Sequence, residues 1–444
     1  MRENVSTRHR KQRKVLLLAK KEMNVLLLGS GGREHALSWK ISKSEKCDNL
    51  FIAPGNAGTE KHGTNVDLAY NDFEAIDQFC DKQNIQMIVV GPEDPLVRGI
   101  VDFFQNKDIK VVGPAKLAAQ LEGSKAFAKD FMARYNVPTA AYKEFTSKTL
   151  AEGLKYLDQK EGPFVLKADG LAAGKGVIIL QEKEAAKTAL ERMLNGQFGQ
   201  ASEKVVIEDF LDGIEFSVFV LTDGKSYKVL PEAKDYKKIG EGDKGLNTGG
   251  MGAISPVPFV DQKLWKKVEE RIIAPTISGI QKDNLNYKGF VFIGLINVGG
   301  DPFVIEYNCR MGDPETEVVI PRLKNDLLDL FDSLFDGSLA EKEIKTEEAY
   351  ATTVMLVSGG YPESYEKGKE ITGVERIESS MVFYAGAKKD ASSKLVTSGG
   401  RVMAITSLGK SMEEALQTSY ENIEKIKFDK MNYRKDIGFD LTQT

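Results

Sequence analysis

Residues 303–316 read Phe-Val-Ile-Glu-Tyr-Asn-Cys-Arg-Met-Gly-Asp-Pro-Glu-Thr and are the most informative part of the sequence. It opens as a β-rich run, and side chains on a strand alternate between two faces. Glu306, Asn308 and Arg310 are therefore predicted to share one face. Carboxylate and amide oxygens are ligands that Mg²⁺ prefers when it also binds nucleotide phosphates, and an arginine fork suits a phosphoryl group in transfer. The pattern predicts a site for metal and phosphate; the alternative is an edge strand with a solvated polar face.

Composition limits the classes of protein that the chain can represent. The 444 residues are 41% hydrophobic and 28% charged, which indicates a globular protein of two to four domains. Net charge is −4, but residues 1–22 hold eight Lys or Arg and two Glu, so the rest carries −10. An acidic body argues against nucleic-acid binding. No apolar run approaches the roughly 20 residues of a membrane span, so no membrane partner is expected.

The basic residues 1–22 are unlike the rest of the chain, and Met23 directly precedes a strong strand pattern at 24–28. We expect an upstream start codon or a disordered tail, with Met23 as the functional beginning; a targeting peptide or a nucleic-acid arm is the alternative. The three cysteines show no paired spacing, which favours a reducing cytoplasm. His35, early in a predicted helix, is expected to have a hydrogen-bonded structural role.

Strands and helices alternate over the first 115 residues, which predicts a parallel sheet with crossover helices. Strands are expected near 24–28, 50–53, 87–91 and 109–112, and helices near 33–43, 73–83 and 96–106. Each strand ends in a turn rich in Gly or Pro, and such turns line one crevice in open α/β sheets. The first turn is not a dinucleotide fingerprint, because position 34 is Glu rather than Gly. A phosphate or sugar near exposed backbone amides is favoured over NAD or FAD.

The middle of the chain carries a glycine-rich loop at 168–175, between predicted strands at 164–167 and 176–180. It is not a Walker A loop, because three residues instead of four separate Gly170 from Gly174 and a strand follows Lys175. A lid over nucleotide phosphates and an ordinary hairpin loop are equally compatible with it.

Further elements are expected after this loop. A strand at 205–211 leads into a connector suited to an adenine edge, with Glu215 available to ribose hydroxyls. The glycine-rich segment 247–252 is predicted to be a loop close to a ligand. A helix at 262–283 and strands at 290–298 and 303–307 follow, and short strands after about residue 350 predict a small capping domain without a catalytic constellation.

Seven motifs in order resemble those of the ATP-grasp carboxylate–amine ligases, and within them the phosphoribosylamine–glycine ligase family. The resemblance covers roughly residues 23–440. The motifs are Gly-Ser-Gly-Gly-Arg-Glu-His-Ala at 29–36, Ala-Pro-Gly-Asn-Ala-Gly-Thr at 53–59, Gly-Pro-Glu at 91–93, Glu-Gly-Ser-Lys at 122–125, Lys-Ala-Asp-Gly-Leu-Ala-Ala-Gly-Lys-Gly at 167–176, Asn-Thr-Gly-Gly-Met-Gly at 247–252 and Glu-Tyr-Asn-Cys-Arg-Met-Gly-Asp-Pro-Glu at 306–315.

The resemblance implies a chain of mixed class, α/β and α+β. It implies a Rossmann-like N-terminal domain at 23–123, a two-lobed ATP-grasp core at 124–345 and a small C-terminal α/β capping domain at 346–444. The implied reaction of this carbon–nitrogen ligase joins glycine to 5-phosphoribosylamine through glycyl phosphate, giving glycinamide ribonucleotide, ADP and phosphate in purine biosynthesis. ATP is the implied co-substrate and Mg²⁺ or Mn²⁺ the cofactor. The partners are then small molecules only, and a monomer is expected.

Site residues follow from the resemblance motif by motif. The implied ATP contacts are Lys125, Lys167, the lid residues Gly170, Gly174 and Lys175, the hinge residues Glu208, Phe210 and Leu211, and Glu215. The implied metal ligands are Glu306 and Asn308, and the catalytic set is Arg310, Asn308, Gly312 and Asp313. The implied substrate contacts are Gly31, Gly32, Asn56, Gly58, Thr59, Gly91, Pro92, Glu93 and Asp235.

One departure from the pattern is visible. Many ATP-grasp enzymes carry a further metal carboxylate on the strand before the metal face, and Gly294-Leu295-Ile296-Asn297 offers none here. Two other functions stay open, namely an ATP-dependent carboxylase of another purine step and a non-catalytic nucleotide-binding regulator. The Gly-Asp-Pro-Glu turn favours the glycine ligase over the carboxylase, and the complete set of lid, lysine and metal-face residues argues against a regulator.

Overall fold

The computed structural model describes residues 23–172 and 176–441. The predictions for residues 1–22, Gly174 and Lys175 lie outside the described residues. Within them no helix is both long enough and apolar enough to cross a membrane.

The N-terminal segment is a parallel sheet covered on both sides. Strand β1 lies between β2 and β4 and is parallel to both. Leu26 and Leu28 of β1 are buried in one core, and Val25 and Leu27 in another, as expected for a parallel strand covered on both faces. The elements are β1 (Met23–Gly29), α1 (Gly32–Ile41), β2 (Cys47–Pro54), β3 (Thr64–Asn65), α2 (Phe73–Gln83), β4 (Ile85–Val90), α3 (Glu93–Arg98), α4 (Ile100–Phe104) and β5 (Lys110–Pro114).

A four-stranded antiparallel sheet in the order β6-β9-β7-β8 forms the first lobe of the middle segment. Its inner face packs on two helices through a core of its own that includes Phe145, Leu166, Leu190 and Ile207. The elements up to the end of this lobe are α5 (Gln120–Gly123), α6 (Lys125–Arg134), β6 (Tyr142–Thr146), α7 (Leu150–Asp158), β7 (Phe164–Ala168), β8 (Val177–Leu180), α8 (Lys183–Leu194) and β9 (Lys204–Asp209).

The second lobe is continuous with the N-terminal sheet. Its longest strand, β16, pairs with β10, β17 and β5, so one nine-stranded sheet runs through both segments. The elements are β10 (Ile214–Thr222), β11 (Tyr227–Val229), β12 (Lys234–Asp235), β13 (Lys238–Gly240), β14 (Lys244–Asn247), β15 (Gly252–Ser255), α9 (Gln262–Val268), α10 (Ala274–Lys282), β16 (Tyr287–Val298), β17 (Asp301–Asn308), α11 (Thr316–Arg322) and α12 (Leu327–Asp336).

The C-terminal segment also shares a sheet with the lobe before it. The five-stranded sheet has the order β12-β15-β18-β22-β19, so two strands of the second lobe extend the C-terminal sheet. The elements are β18 (Tyr350–Val357), β19 (Met381–Tyr384), β20 (Ala387–Lys389), β21 (Leu395–Thr397), β22 (Arg401–Gly409) and α13 (Met412–Ile423).

Two predicted helices differ in detail. The helix expected at 96–106 is two short helices, because Gly99 adopts a left-handed conformation at φ +96° and ends α3. The helix expected at 262–283 runs from Gln262 to Lys282 but contains a π-helical turn at Glu269–Ile273.

Candidate active site

The predicted metal face lies at the end of β17, beside a small pocket. Glu306 lines this pocket together with Glu215, Asp235 and Lys237. The pairing of β17 with β16 shifts register at Ile305, which is an extra residue and also lines the pocket. Gly294 is paired with Glu306, and its α-carbon packs against that side chain. The neighbouring strand therefore leaves room for the Glu306 side chain and adds no acid of its own.

Three lysines set the charge of the Glu306 carboxyl. Burial alone would raise its pKa, but the pKa is lowered by Lys237, Lys125 and Lys167. Glu306 is therefore held in the charged form that a metal ion requires of a carboxylate ligand.

Two buried lysines meet on a single carboxylate at the start of the hinge. Nζ of Lys129 lies 3.1 Å, and Nζ of Lys167 2.9 Å, from Oε2 of Glu208. Lys129 also donates to Oγ1 of Thr139 at 2.7 Å, and burial lowers its pKa to about 8. Lys167 donates to the carbonyl of Ile305 at 3.3 Å, which brings it beside the metal face. The Glu208 carboxylate thus fixes the positions of both lysine ammonium groups.

Phe210, Glu215 and Gly170 are further predicted nucleotide contacts. Phe210 is 40% exposed, which is unusual for a large apolar side chain and suits a surface that a base would cover. Oε2 of Glu215 is 2.7 Å from Nζ of Lys237, and this pair lowers the pKa of Glu215. Gly170 packs closely on Ala201, beyond the first lobe's central strands.

Arg310 links the metal face to the N-terminal segment. Its Nη2 donates to Oε1 of Glu122 at 2.6 Å and to Oδ1 of Asn308 at 3.2 Å, and its Nε donates to Oε2 of Glu93 at 3.3 Å. Strand β17 ends at Asn308, so Arg310 stands in the following turn, yet its guanidinium still reaches back to the face predicted from alternation. Glu93 comes from the predicted substrate turn at 91–93.

The turn after the metal face is built from buried acids. The carboxylate of Glu315 lies on the α-carbon of Gly312, where a β-carbon would overlap it. Asp313 pairs with Arg401 of β22 at 3.0 Å, and the same arginine donates to the carbonyls of Asp313 and Gly249 at 2.8 and 2.6 Å. The C-terminal segment, in which no catalytic constellation was expected, thus supplies an arginine that fixes this turn.

The predicted substrate turn at the start of α1 is covered by carboxylates. The backbone amide of Gly31 donates to Oε2 of Glu34 at 2.6 Å, and a β-carbon at Gly32 would overlap Glu317. The amide of Arg33 lies 3.5 Å from Oδ2 of Asp313. The expectation of exposed amides is therefore wrong for Gly31, whose amide is already occupied by an acid.

The turns at 55–59 and 91–93 converge on the same helix start. Asn56 donates from Nδ2 to the carbonyls of Ser30 and Tyr384, and its Oδ1 accepts from the amides of Gly58 and Thr59. Oγ1 of Thr59 donates to the carbonyl of Asn56. These side chains shape their own loop.

Gly91 packs on Glu34, Gly58 packs on His35, and Pro92 is the N-cap of α3.

Several residues of this site were missed by sequence reasoning. They are Lys129, Lys237, Glu122, Glu315, Glu317 and Arg401. Glu122 and Glu315 fall inside the quoted motifs, so a signal existed for them. Lys129 repeats four residues after Lys125, one helical turn away, which is a usable but weak signal. No local pattern identifies Arg401, because its partner Asp313 lies 88 residues earlier in the chain.

Three family models match successive parts of the chain. They are described as Phosphoribosylglycinamide synthetase, N domain (residues 23–122), ATP-grasp (A) domain (residues 123–316) and C domain (residues 351–440). The phosphoribosylamine–glycine ligase of Pasteurella multocida (strain Pm70) is 46% identical over 423 residues, which cover 94% of this chain and 98% of the relative. The enzyme of the same name from Yersinia pestis is 44% identical with the same coverage.

Solved structures agree with these matches. The crystal structure of phosphoribosylamine–glycine ligase from Thermotoga maritima has a TM-score of 0.81 at 37% identity, covering 93% of this chain and 99% of that one. The biotin carboxylase domain of the 2-oxoglutarate carboxylase from Hydrogenobacter thermophilus shares the fold, with a TM-score of 0.68 at 17% identity over 92% and 91% of the two chains. The predicted mixed class with an ATP-grasp core is confirmed. The chain belongs to the phosphoribosylglycinamide synthetase family, whose relatives are the phosphoribosylamine–glycine ligases.

Proposed function

We propose that the chain ligates glycine to 5-phosphoribosylamine with ATP, giving glycinamide ribonucleotide, ADP and phosphate in purine biosynthesis. The observation that carries the proposal is the Glu306 carboxylate, which lines a small pocket and is kept charged by Lys237, Lys125 and Lys167. A carboxylic acid must be phosphorylated before an amine can displace oxygen from it. That step needs alignment and charge neutralisation rather than a protein nucleophile.

The nucleotide part of the proposal uses the residues between the two lobes. Lys125 and Lys167 would bind the phosphates, with the loop at 170–176 as the lid. The backbone from Glu208 to Leu211 would bind the adenine edge beside Phe210. The Glu215 carboxylate, predicted to accept from ribose hydroxyls, is also within 2.7 Å of Lys237, so ribose binding would have to share it.

The oxygen donors present fit a divalent cation bound together with phosphates. Glu306 offers a charged carboxylate, and Asn308 an amide oxygen that accepts a hydrogen bond of 3.2 Å from Arg310. In the described part of the chain no group of three or more His, Cys, Asp or Glu has the arrangement of a metal site. Two protein oxygens suit Mg²⁺, which keeps waters and takes the rest of its ligands from substrate phosphates. Bound Mg²⁺, or Mn²⁺ in its place, would neutralise charge on the transferring phosphoryl group.

The phosphoryl group would be transferred to the glycine carboxylate beside Arg310. Asn308, Gly312 and Asp313 would position that arginine and the turn after it. Phosphoribosylamine would enter where the turns at 29–32, 55–59 and 91–93 converge, with Glu93 on the side of Arg310. Its contacts would be drawn from Gly32 and the neighbouring backbone, because the amides of Gly31 and Gly58 already donate to Glu34 and Asn56.

This proposal also includes a domain division at 23–123, 124–345 and 346–444, a monomeric state and a cytoplasmic location. It further includes the lack of nucleic-acid or membrane partners. The acidic body of the chain supports the last of these.

The test is a coupled assay of ADP release in which ATP, glycine, phosphoribosylamine and Mg²⁺ are omitted one at a time. We expect release to require all four. ADP release that is independent of glycine but dependent on bicarbonate would indicate a carboxylase instead. ATP binding without any turnover would indicate a regulator.

A further inference from the structure

Glu122 is a buried acid that contacts the end of the metal face from another segment of the chain. It lies on α5, and its side chain is 5% exposed. Its Oε1 accepts a hydrogen bond of 2.6 Å from Nη2 of Arg310. Its Oε2 accepts from the backbone amide of Cys309 at 2.8 Å and from the Cys309 thiol at 3.1 Å. One carboxylate therefore holds both the arginine and the backbone that precedes it.

These contacts require a carboxylate. Each oxygen of Glu122 accepts from a different N–H donor, one on Arg310 and the other on the backbone of Cys309. A glutamine has the same shape, but its side chain carries one acceptor oxygen and one NH2 donor. Whichever way that amide is turned, its NH2 group faces either the guanidinium or the backbone N–H. The hydrogen bonds at position 122 are therefore satisfied by Glu and not by Gln.

Glu122 is also the more tightly bound of the two acids that hold Arg310. The second acid is Glu93, whose Oε2 is 3.3 Å from Nε and whose side chain is 31% exposed. The shorter and more buried contact is the less screened by water, so Glu122 sets the direction of the guanidinium. The Nη2 atom that Glu122 holds also donates to Oδ1 of Asn308 at 3.2 Å, so the carboxylate acts on an atom that contacts a proposed metal ligand.

The place of Glu122 in the chain connects Arg310 to the nucleotide site. Ser124 is the N-cap of α6, and Lys125 is the first residue of that helix. The amide of Lys125 donates to the carbonyl of Asp169 at 3.1 Å, directly after β7. Only two residues separate the acid that holds Arg310 from the lysine proposed to bind ATP phosphates. One short segment thus sets the positions of two cations proposed to act on the same phosphoryl group.

We propose that Glu122 is a positioning residue for the phosphoryl transfer: it orients Arg310 through Oε1 and fixes the backbone that carries this arginine through Oε2. The role rests on the proposed ligase activity, and Glu122 acts through Arg310 rather than through contact with a substrate. Misplacing a group by about 1 Å can lower a rate about 10²-fold. Glu122 should therefore affect kcat and leave the binding of ATP nearly unchanged.

The test is a double-mutant cycle between Glu122→Gln and Arg310→Lys, with kcat and the KM for ATP measured by ADP release. Glu122→Gln should lower kcat about 10- to 100-fold and change the KM for ATP less than about threefold. In the Arg310→Lys background, Glu122→Gln should lower kcat less than about threefold further, because the fork that Glu122 orients is already lost. An acid that only stabilises the fold would lower kcat by the same factor in both backgrounds.

Asp283→Asn is the matched control. Asp283 also accepts a hydrogen bond of 2.6 Å from an arginine distant in sequence, Nη1 of Arg134, and neither residue lines the pocket beside Glu306. This variant should keep the wild-type kcat. Cys309→Ala removes the thiol contact and keeps the backbone amide, so its kcat should stay within about threefold of wild type. Circular dichroism checks folding, and Glu122→Asp, with a carboxylate one methylene shorter, replaces Glu122→Gln in the cycle if the latter does not fold.

The proposal is overturned if folded Glu122→Gln keeps the wild-type kcat, or if the substitution lowers kcat by the same factor in both backgrounds. It is also overturned if Asp283→Asn or Cys309→Ala lowers kcat as much as Glu122→Gln does. A wild-type enzyme without glycine-dependent ADP release would contradict the ligase activity, and the role of Glu122 with it. The two failures are distinguishable, because the results of the cycle are obtained with an active wild type.

Discussion

The ring of His35 accepts a hydrogen bond from the backbone amide of Tyr384, with 2.7 Å between Nδ1 and N. The carbonyl of Tyr384 in turn accepts from Nδ2 of Asn56, also at 2.7 Å. The N-terminal segment therefore clamps one residue of β19 at both its backbone groups. The structural role expected for His35 is what the contact shows, since an imidazole that accepts at Nδ1 and is buried beside His62 has little tendency to protonate.

Acidification should weaken this clamp. Burial lowers the pKa of His35 to about 3, well below its value of 6.5 in an unfolded chain. Between pH 6.5 and about pH 3 the unfolded chain binds more protons than the folded protein. The free energy of unfolding therefore keeps its full value above pH 6.5 and decreases as the pH falls below it. At pH 5 the expected loss of unfolding free energy is about 2 kcal/mol. Comparing urea unfolding at pH 7 and pH 5 for wild type and His35→Gln measures it.

The variant should lose about 2 kcal/mol less than wild type over this pH range, although it is less stable at pH 7. His62→Gln is the comparison: burial lowers the pKa of His62 as well, but His62 is only half-buried, so this variant should reduce the pH dependence less than His35→Gln does. Identical pH dependence in wild type and His35→Gln would contradict the assignment.

The two lysines that contact Glu208 should have different roles, Lys167 in binding ATP and Lys129 in stabilising the fold. Lys167 contacts the carbonyl of Ile305 beside the metal face, whereas Lys129 is bound by Thr139 and by the carbonyl of Ala140. Lys167→Met should raise the KM for ATP by at least tenfold. Lys129→Met should change that KM less than threefold and act mainly on stability. Steady-state kinetics with thermal unfolding of both variants decides this, and equal effects on the KM for ATP would show that both lysines bind nucleotide.

Much of the site was predictable because it is local. Alternation along a strand suffices to predict that Glu306 and Asn308 share a face, and the Gly-Asp-Pro turn that follows suffices to place that face at the end of a strand. The parallel sheet follows from the repeated strand–helix pattern, and a strand such as β1, buried on both faces, reads as a continuous apolar run.

The unpredicted part is set by contacts between segments distant in sequence. Gly32 looks like a residue that exposes a backbone amide, but it is glycine because Glu317 occupies the space of a side chain. Gly312 and Glu315 show the same relationship. A glycine in a motif indicates that a side chain would not fit at that position. Only the packing shows whether the space is taken by a substrate or by a buried acid.

Arg401 should matter to turnover although it lies in the C-terminal segment. It is the cation for Asp313, and Arg401→Ala would remove the ion pair of that carboxylate and one of the hydrogen bonds that hold the turn at 248–252. We expect kcat/KM for phosphoribosylamine to fall about tenfold or more. Arg376→Ala, which removes an arginine that is 57% exposed in the same segment, is the control. Equal kcat/KM values for Arg401→Ala and this control would show that the turn holds without Arg401.

Glu306 and Asn308 should be needed for the use of Mg²⁺. Glu306→Gln and Asn308→Ala should each lose most turnover while circular dichroism stays unchanged, because each removes one of the two oxygens proposed to bind the ion. Asn297→Ala, on the adjacent strand, is a control, since the Asn297 side chain accepts a hydrogen bond from the amide of Gly300 in the turn between the two strands. Titration of Mg²⁺ in the ADP-release assay is the measurement. Near-normal activity at low Mg²⁺ in both variants would contradict the metal assignment.

Arg310 should stabilise the transferring phosphoryl group rather than only join two segments. Arg310→Lys keeps the positive charge but loses the planar fork that reaches Glu93, Glu122 and Asn308 at once. Losing one preorganised contact of this kind lowers rates about 10²- to 10³-fold, so kcat should fall by that factor while the KM for ATP changes only a few-fold. Glu93→Gln, which removes one partner and leaves the guanidinium, should lower kcat less. If Arg310→Lys instead lowers the melting temperature and leaves kcat unchanged, the arginine is a structural link between the segments and takes no part in the phosphoryl transfer.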